Sequence, residues 1–300
     1  MQSITRRDLL ASAAAVATGA GVLGGCAKDP RQEPVQEPEK KLGNPRIGLV
    51  TYLLAHKWDV PTIIANCTET GFEAVELRTT HAHGVEVTLS ASQRAEVRKR
   101  FEDSPVRLAS LGSAFAYHNP DPAELKKNIE GTREFLKLAA DLGCDGIKVR
   151  PNRLCQDQGI EPEVTIAQIA RSLDEVGKAG SDLGVEIRVE VHGRDTSRIP
   201  VFHKIMQSTT CGNVFTNWNS NQNDLEDGGL EKNFALLADS IHFVHMRDLF
   251  LEEYPWRRML RLLRESGYSG YCCAEIPESA DPMRVMKYYR ALFLAYQDRL

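Results

Sequence analysis

The sequence EIRVEVH, residues 186 to 192, alternates strictly between polar and apolar side chains. A period of two predicts a β-strand, with Ile187, Val189 and Val191 on one face and ionisable side chains on the other. The apolar face suits packing against helices. Because ionisable groups in a core are stable only when they are paired or bind a ligand, we expect the other face to line the interior of a barrel that carries a site.

Seven more short β-rich runs surround this strand, and helical periodicity follows each of the eight. The predicted strands are Ile47–Tyr52, Ala74–Arg78, Arg107–Leu111, Gly146–Arg150, Glu186–Val191, Val214–Asn219, Ile241–Met246 and Tyr271–Ile276. The predicted helices are Pro61–Thr70, Ala91–Glu102, Pro122–Leu142, Ile166–Leu183, Val201–Ser208, Gly229–Ala238, Trp256–Glu265 and Met283–Arg299. Eight units within residues 45–300 fit the roughly 250 residues of a (β/α)8 TIM barrel. No Gly-x-Gly-x-x-Gly follows the first strand to favour an open doubly wound sheet.

Charged residues also occupy the interior-facing positions of other predicted strands. The predicted interior set comprises the cations Arg78, Lys148, Arg150 and Arg188 and the carboxylates Glu76, Glu186, Glu190 and Glu275. One interpretation is an ion-paired core that needs no metal. The other is that Glu190 and Glu275, near the strand C-termini, bind a cation while the deeper carboxylates pair with arginines. We favour the second, because catalytic residues of such barrels lie at that end.

Four candidate metal ligands stand at or near the ends of consecutive strands five to eight: Glu190, Asn219, His245 and Glu275. The order of the strands alone brings them together at one mouth of the barrel. Carboxylate, imidazole and amide donors suit a divalent ion such as manganese, magnesium, zinc or cobalt better than a closed thiolate site does. A buried core histidine and internal ion pairs remain the alternatives for His245 and the glutamates.

Candidate substrate-binding residues lie at the same end of the predicted barrel: His192, His118, Arg150, Lys148 and Tyr52. The histidines can equally be surface residues, and the two cations can pair with interior glutamates. Trp218 is predicted to pack in the core, because it falls on the helix-facing alternation.

The N-terminal residues are typical of an export signal. TRRDLL at residues 5–10 precedes an alanine-rich apolar run and then Cys26, the pattern of a twin-arginine-type signal with a lipobox over residues 1–26. Residues 27–44 are predicted to form a flexible linker. The protein is therefore expected to be a periplasmic or cell-envelope lipoprotein, with a lipid on Cys26 as its membrane contact. The formal charge of -4 argues against a nucleic-acid partner.

The segments GFEAVELR (71–78), AADLG (139–143) and, most specifically, VHMRD (244–248) resemble the xylose-isomerase-like TIM-barrel superfamily, which includes sugar phosphate isomerases and epimerases. The resemblance implies metal ligation by Glu190, His245 and Glu275. Asn219 departs from the pattern, because the family has aspartate there. Gln222 also departs, since epimerases of the family often have histidine at that position.

The resemblance further implies a metal-dependent sugar isomerase or epimerase that acts on a small carbohydrate through an enediolate. Glu190 and Glu275 would then be the catalytic base and acid. Three alternatives stay open: a carbohydrate-binding barrel without metal or catalysis, a lyase or dehydratase that uses the same site, and an endonuclease-IV-like phosphodiesterase. The last needs more metal ligands than the sequence offers at this mouth.

Overall fold

A computed structural model describes residues 41–299 of the chain. Residues 1–40 and residue 300 lie outside the described residues. The twin-arginine-type signal, the lipidated Cys26 and most of the linker at 27–44 fall in that part of the chain, and they remain predictions. Within 41–299, none of the helices is both long and apolar enough to span a membrane.

Eight strands form a closed barrel in which every neighbouring pair is parallel, in the order β1 to β8 with β8 returning to β1. This confirms the predicted (β/α)8 fold. The strands are β1 Arg46–Val50, β2 Ala74–Arg78, β3 Arg107–Ala116, β4 Gly146–Arg150, β5 Glu186–Glu190, β6 Val214–Asn219, β7 Ile241–Met246 and β8 Tyr271–Ala274.

Each strand is followed by an outer helix, and capping residues set the ends of several of these helices. Asp59, Ser90 and Asp121 cap helix N-termini with side-chain acceptors, and glycines such as Gly71 and Gly143 end helices in the left-handed conformation. The helices are α1 Val60–Thr70, α2 Ala91–Glu102, α3 Pro122–Leu142, α4 Pro162–Leu183, α5 Ile199–Ser208, α6 Leu230–Leu237, α7 Trp256–Ser266 and α8 Pro282–Ala295.

Several element boundaries differ from the sequence prediction. β3 continues to Ala116, five residues beyond the predicted end, with a register irregularity against β4 after Gly112. β1, β5 and β8 end one or two residues early, so that Tyr52 and Glu275 lie in the loops that follow. α4 begins at Pro162, because a proline fits the first turn of a helix, where its missing N–H is not needed.

The main core lies between the barrel wall and the helices. Ile187, Val189 and Val191 are fully buried in it, as the alternation predicted, and so is Trp218. A small second apolar cluster fills the interior of the barrel and comprises Val50, Ala74, Ala109, Phe243 and Cys273, with Tyr271 packed on it. Apolar side chains therefore fill part of the barrel interior, and a cavity opens at the C-terminal ends of the strands.

The six cysteines of the described chain are all free thiols, and five of them are buried: Cys67, Cys144, Cys155, Cys272 and Cys273. Burial raises the pKa of the Cys67 thiol to about 12, which keeps it protonated and unreactive. The buried thiols therefore pack as small apolar residues.

Candidate active site

A cavity of about 490 Å³ opens at the C-terminal mouth of the barrel. Side chains from β2, β4 and the ends of β5 to β8 line it, together with the loop after β1. This is the end at which TIM-barrel enzymes place their catalytic groups. The cavity is large enough for a small molecule.

His245 on β7 lies at the centre of the candidate site, under the cavity. Its Nδ1 atom is 3.2 Å from Glu190 Oε1 and 4.0 Å from Glu275 Oε2. These three side chains offer donor atoms that all lie within 4.8 Å of one another. The order of the strands brings them together, because β5, β6, β7 and β8 are successive neighbours in the barrel and His245 is in register with Asn219 on one side and with Cys273, two residues before Glu275, on the other.

Glu190 on β5 contacts more polar groups than any other carboxylate in this cluster. Its Oε2 atom accepts from Lys148 Nζ at 2.9 Å, and its Oε1 atom accepts from Asn219 Nδ2 at 3.2 Å. Asn219 thus lies in the predicted cluster, but the atom nearest Glu190 is the amide nitrogen, which is not a metal donor. Lys148 is buried in this ion pair.

The protonation of the cluster is set by burial and by neighbouring charges. Burial disfavours the imidazolium of His245, but the surrounding carboxylates, above all Glu76, outweigh it and raise the pKa of His245 to about 10. Burial likewise opposes the charge on Glu190, yet Lys148 and His245 hold the pKa of that carboxyl well below its usual range. For Glu275 burial prevails, and its pKa is raised. The two glutamates are thus pushed in opposite directions, as acid and base pairs in enzymes often are.

Glu76 on β2 occupies a different place from the one we expected. We predicted that this deeper carboxylate would pair with an arginine; instead it is fully buried with its Oε1 atom 3.3 Å from His245 Nε2. Gly112 on β3 makes room for it, since a Cβ atom there would stand 2.7 Å from Glu76 Oε1. The other deep carboxylate, Glu186, does pair with Arg188 at 2.8 Å.

The cavity brings together four of the five predicted substrate-binding residues: Tyr52, Lys148, Arg150 and His192. His118 is the exception, because it is not among the residues that line the cavity, although its imidazole is close to Arg150 and Arg153. His118 follows β3, and the unpredicted extension of that strand to Ala116 changes where its loop begins.

Other polar residues of the cavity were not among the predicted site residues. Asn221, Arg247 and Asp248 line it. Arg247 and Asp248 belong to the VHMRD segment that carried the resemblance. Asn217 lies two residues before Asn219 on the same face of β6, and its Nδ2 atom is 3.1 Å from His245 Nε2. The interior alternation of β6 could have identified Asn217.

The residues at this mouth fit a divalent metal ion. The carboxylates of Glu190 and Glu275 and one imidazole nitrogen of His245 lie close together. Manganese, zinc and related ions accept these donors. On the opposite side of the ring, Glu76 is placed as the carboxylate that commonly orients a metal-bound histidine. Lys148 competes for Glu190, because its ammonium group already neutralises that side chain.

Three solved structures have the same fold over 84% of this chain. A 3-keto-D-glucoside 4-epimerase from E. coli has a TM-score of 0.69 at 14% identity, with 100% of its own chain covered. A D-psicose 3-epimerase gives 0.69 at 16% identity and 98% coverage. The IOLI protein, whose crystal structure contains a zinc atom, gives 0.70 at 14% identity and 99% coverage. At these identities the likeness is one of fold.

None of the curated proteins compared with the chain matches its sequence significantly. A family model does match, over residues 64–292, which is most of the described barrel, and its family is described as xylose isomerase-like TIM barrel. The sequence match, the closed eight-stranded barrel and the polar mouth agree with one another. The chain therefore belongs to the xylose isomerase-like TIM barrel family.

Proposed function

We propose that the protein is a metal-dependent sugar epimerase or isomerase that works through an enediolate intermediate. The observation that carries the proposal is the convergence of Glu190, His245 and Glu275 beneath the cavity, with the His245 Nδ1 atom 3.2 Å and 4.0 Å from the two carboxylates. Sugar epimerases with the same fold support the choice of reaction class.

In this proposal Glu190, His245 and Glu275 hold the metal ion. The bound ion would polarise the carbonyl of the sugar and so acidify the neighbouring C–H bond. Asn219 donates to Glu190 and so orients its carboxylate. The family pattern has aspartate in place of Asn219, so this site has one carboxylate fewer than its relatives.

Glu190 and Glu275 approach the cavity from β5 and from the end of β8, and they would act on the two sides of the bound sugar. Glu190, held ionised by Lys148, would accept the proton from the carbon that bears the hydroxyl group. Glu275, whose burial favours the protonated form, would return a proton. Return to the same carbon on the opposite face gives an epimer, and return to the neighbouring carbon gives an isomer.

The first experiment measures metal content and C–H exchange on the same preparations. We expect about one divalent ion per chain by mass spectrometry, lost in Glu275→Gln. A panel of ketoses and aldoses in D2O, followed by NMR, should show deuterium uptake next to the carbonyl. Glu190→Gln and Glu275→Gln should slow that uptake by roughly 100-fold or more, the range typical of lost general acid–base catalysis.

Glu278→Gln is the matched control, because Glu278 follows the same strand but is exposed and pairs with Lys57 at 2.6 Å. It should retain both metal and exchange. The absence of metal after reconstitution, together with the absence of sugar-dependent exchange, would refute the proposal.

A second candidate function is a carbohydrate-binding barrel without catalysis. It is favoured by the ion pair of 2.9 Å between Lys148 and Glu190 and by the raised pKa of His245, because these cations neutralise the carboxylates without a metal ion. Binding of sugars to a metal-free chain, with no deuterium uptake, would support this candidate over the enzyme.

A further inference from the structure

Three arginines of the cavity have no carboxylate partner among residues 41–299, and two of them, Arg78 and Arg150, donate only to backbone carbonyls, whereas Arg247 donates to the Asn221 side chain at 3.0 Å. Arg78 at the end of β2 and Arg150 at the end of β4 line the cavity and are half-buried, yet neither makes an ion pair in the described chain. Lys148, on the same strand as Arg150, is by contrast paired with Glu190. An unpaired guanidinium that is partly withdrawn from water carries a desolvation cost that an anion would offset.

Each of the two guanidinium groups donates one hydrogen bond to a backbone carbonyl and keeps other donors free. Arg150 Nη2 donates to the Ala114 carbonyl at 3.0 Å, whereas its Nε is buried without a hydrogen-bond partner in the described chain. Arg78 Nη1 donates to the Thr79 carbonyl at 3.0 Å. A guanidinium has five N–H donors, so each arginine keeps several that can bind an oxyanion.

The geometry of the sheet places these arginines on either side of one strand. Arg78 is in register with Gly112 of β3, and Arg150 is in register with Ala116 of the same strand. Gly112 has no side chain that could separate the groups. Burial lowers the pKa of Arg150, the carboxylate of Glu190 opposes this, and the positive charge of Arg78 adds to the lowering. An anion bound between the two guanidinium groups would offset this repulsion.

The charge of the whole cavity supports the same conclusion. Its lining contains four permanent cations and four carboxylates, which balance formally: Arg78, Lys148, Arg150, Arg247, Glu76, Glu190, Asp248 and Glu275. A divalent ion on the glutamates would leave a surplus of two positive charges. A neutral sugar cannot offset that surplus, but a sugar with an acidic group can.

We propose that the substrate is an anionic sugar derivative whose carboxylate or phosphate group is bound by Arg78 and Arg150. The inference rests on the function proposed above, since it names the substrate class of the same site. It assigns the two arginines to recognition of the acidic group and leaves the reacting carbons near Glu190 and Glu275. Guanidinium groups suit this task, because they bind carboxylate and phosphate oxygens in a bidentate manner.

The test is a calorimetric titration of the full chain with three kinds of probe: D-glucuronate, D-fructose 6-phosphate, and the neutral sugars D-glucose and D-fructose. We expect one acidic probe to bind at least tenfold more tightly than its neutral counterpart. Arg150→Gln and Arg78→Gln should each remove most of that preference while leaving the weak binding of neutral sugars in place. Comparison of the two acids shows whether the site takes a carboxylate or a phosphate.

Arg133→Gln is the control for a lost positive charge, because Arg133 lies on α3 and pairs with Glu130 and Glu175 on the outer surface. It should leave the preference for the acid unchanged. Thermal unfolding of each variant checks folding, and the two arginine variants are independent, so one misfolded protein does not remove the test.

Two results would overturn the inference: acids that bind no more tightly than neutral sugars, or a preference that survives in both Arg78→Gln and Arg150→Gln. The titration needs no turnover, so its failure is separate from failure of the proposed function. Arginine-dependent binding of an acid, with no metal after reconstitution and no deuterium exchange, would support the inference and refute the enzyme. Deuterium exchange in neutral sugars alone would support the enzyme and overturn the inference.

Discussion

Glu76 is a fully buried carboxylate whose oxygens have no hydrogen-bond partner within the described chain, and its nearest cationic group is His245 Nε2 at 3.3 Å. Such a group stabilises one orientation of the imidazole ring and increases its basicity. We therefore predict that Glu76→Gln keeps the fold but weakens metal binding by about 10- to 100-fold, the usual effect of losing a partner behind a ligand. Calorimetric titration with manganese or zinc measures this change.

Glu186→Gln is the matched control at the residue scale. Glu186 also faces the barrel interior, but it belongs to the opposite end, where it pairs with Arg188 and His242. Its loss should leave metal affinity unchanged. Equal metal affinities for Glu76→Gln and the wild type would show that Glu76 does not act through His245.

At the scale of elements, the short 3₁₀ turn Gln222–Leu225 after β6 buries Asp224 beside the site. The Oδ2 atom of Asp224 accepts from the Tyr254 hydroxyl at 2.7 Å and from the Asn221 amide at 3.1 Å, while Oδ1 has no partner in the described chain. Burial raises the pKa of Asp224 to about 7. Because its pKa is raised in the folded state, Asp224 stays protonated there over a pH range in which it ionises in the unfolded chain. Its contribution to the stability of the fold is therefore complete below about pH 4 and is lost as the pH rises through 7.

The expected loss of stability from Asp224 is about 4 kcal/mol, at 1.36 kcal/mol per pH unit between the two pKa values. Asp224→Asn keeps an acceptor for Tyr254 and places a neutral amide where the unpartnered oxygen lies. Urea unfolding should therefore show that the stability of Asp224→Asn relative to wild type increases from pH 5 to pH 8. The exposed Asp182→Asn on α4 should show no such increase. A constant difference between Asp224→Asn and wild type would contradict the buried-acid explanation.

At the scale of the whole molecule, the barrel closes where β1 meets β8, and the interior there is tightly filled. Gly48 is in register with Cys273, and a Cβ atom on Gly48 would stand 2.4 Å from the Cys273 sulfur. We predict that Gly48→Ala lowers the free energy of unfolding by about 1–3 kcal/mol, the usual range for overpacking a core. Chemical denaturation measures the loss, and Cys273→Ala in the same chain should recover most of it.

Gly212→Ala is the control for the closure of the barrel, because nothing lies within 4 Å of its added methyl group. It should leave the barrel as stable as the wild type. The changes in the free energy of unfolding caused by two substitutions are expected to be non-additive only when the two residues are in contact. A double variant no more stable than Gly48→Ala alone would show that the strain comes from the Ala74 backbone, which is 3.2 Å from the same Cβ position.

Local chemistry explains which parts of the fold could be predicted. The alternation of Ile187, Val189 and Val191 depends on neighbouring residues, and the structure confirms it. The end of β3 could not be predicted in this way. Its last residues pair with β4 through an irregular register, and that pairing depends on the closed barrel.

The sequence by itself determined that eight strand–helix units alternate, that charged side chains face inward, and that Glu190, Asn219, His245 and Glu275 stand at or near the ends of consecutive strands. Those features follow from side-chain periodicity and chain order, which are local properties. Only the tertiary structure decided which charges meet: Glu76 with His245, Lys148 with Glu190, and Arg78 and Arg150 with no carboxylate among residues 41–299. The physical reason is that contacts across the barrel depend on strand register and barrel closure, which no segment of the chain specifies alone.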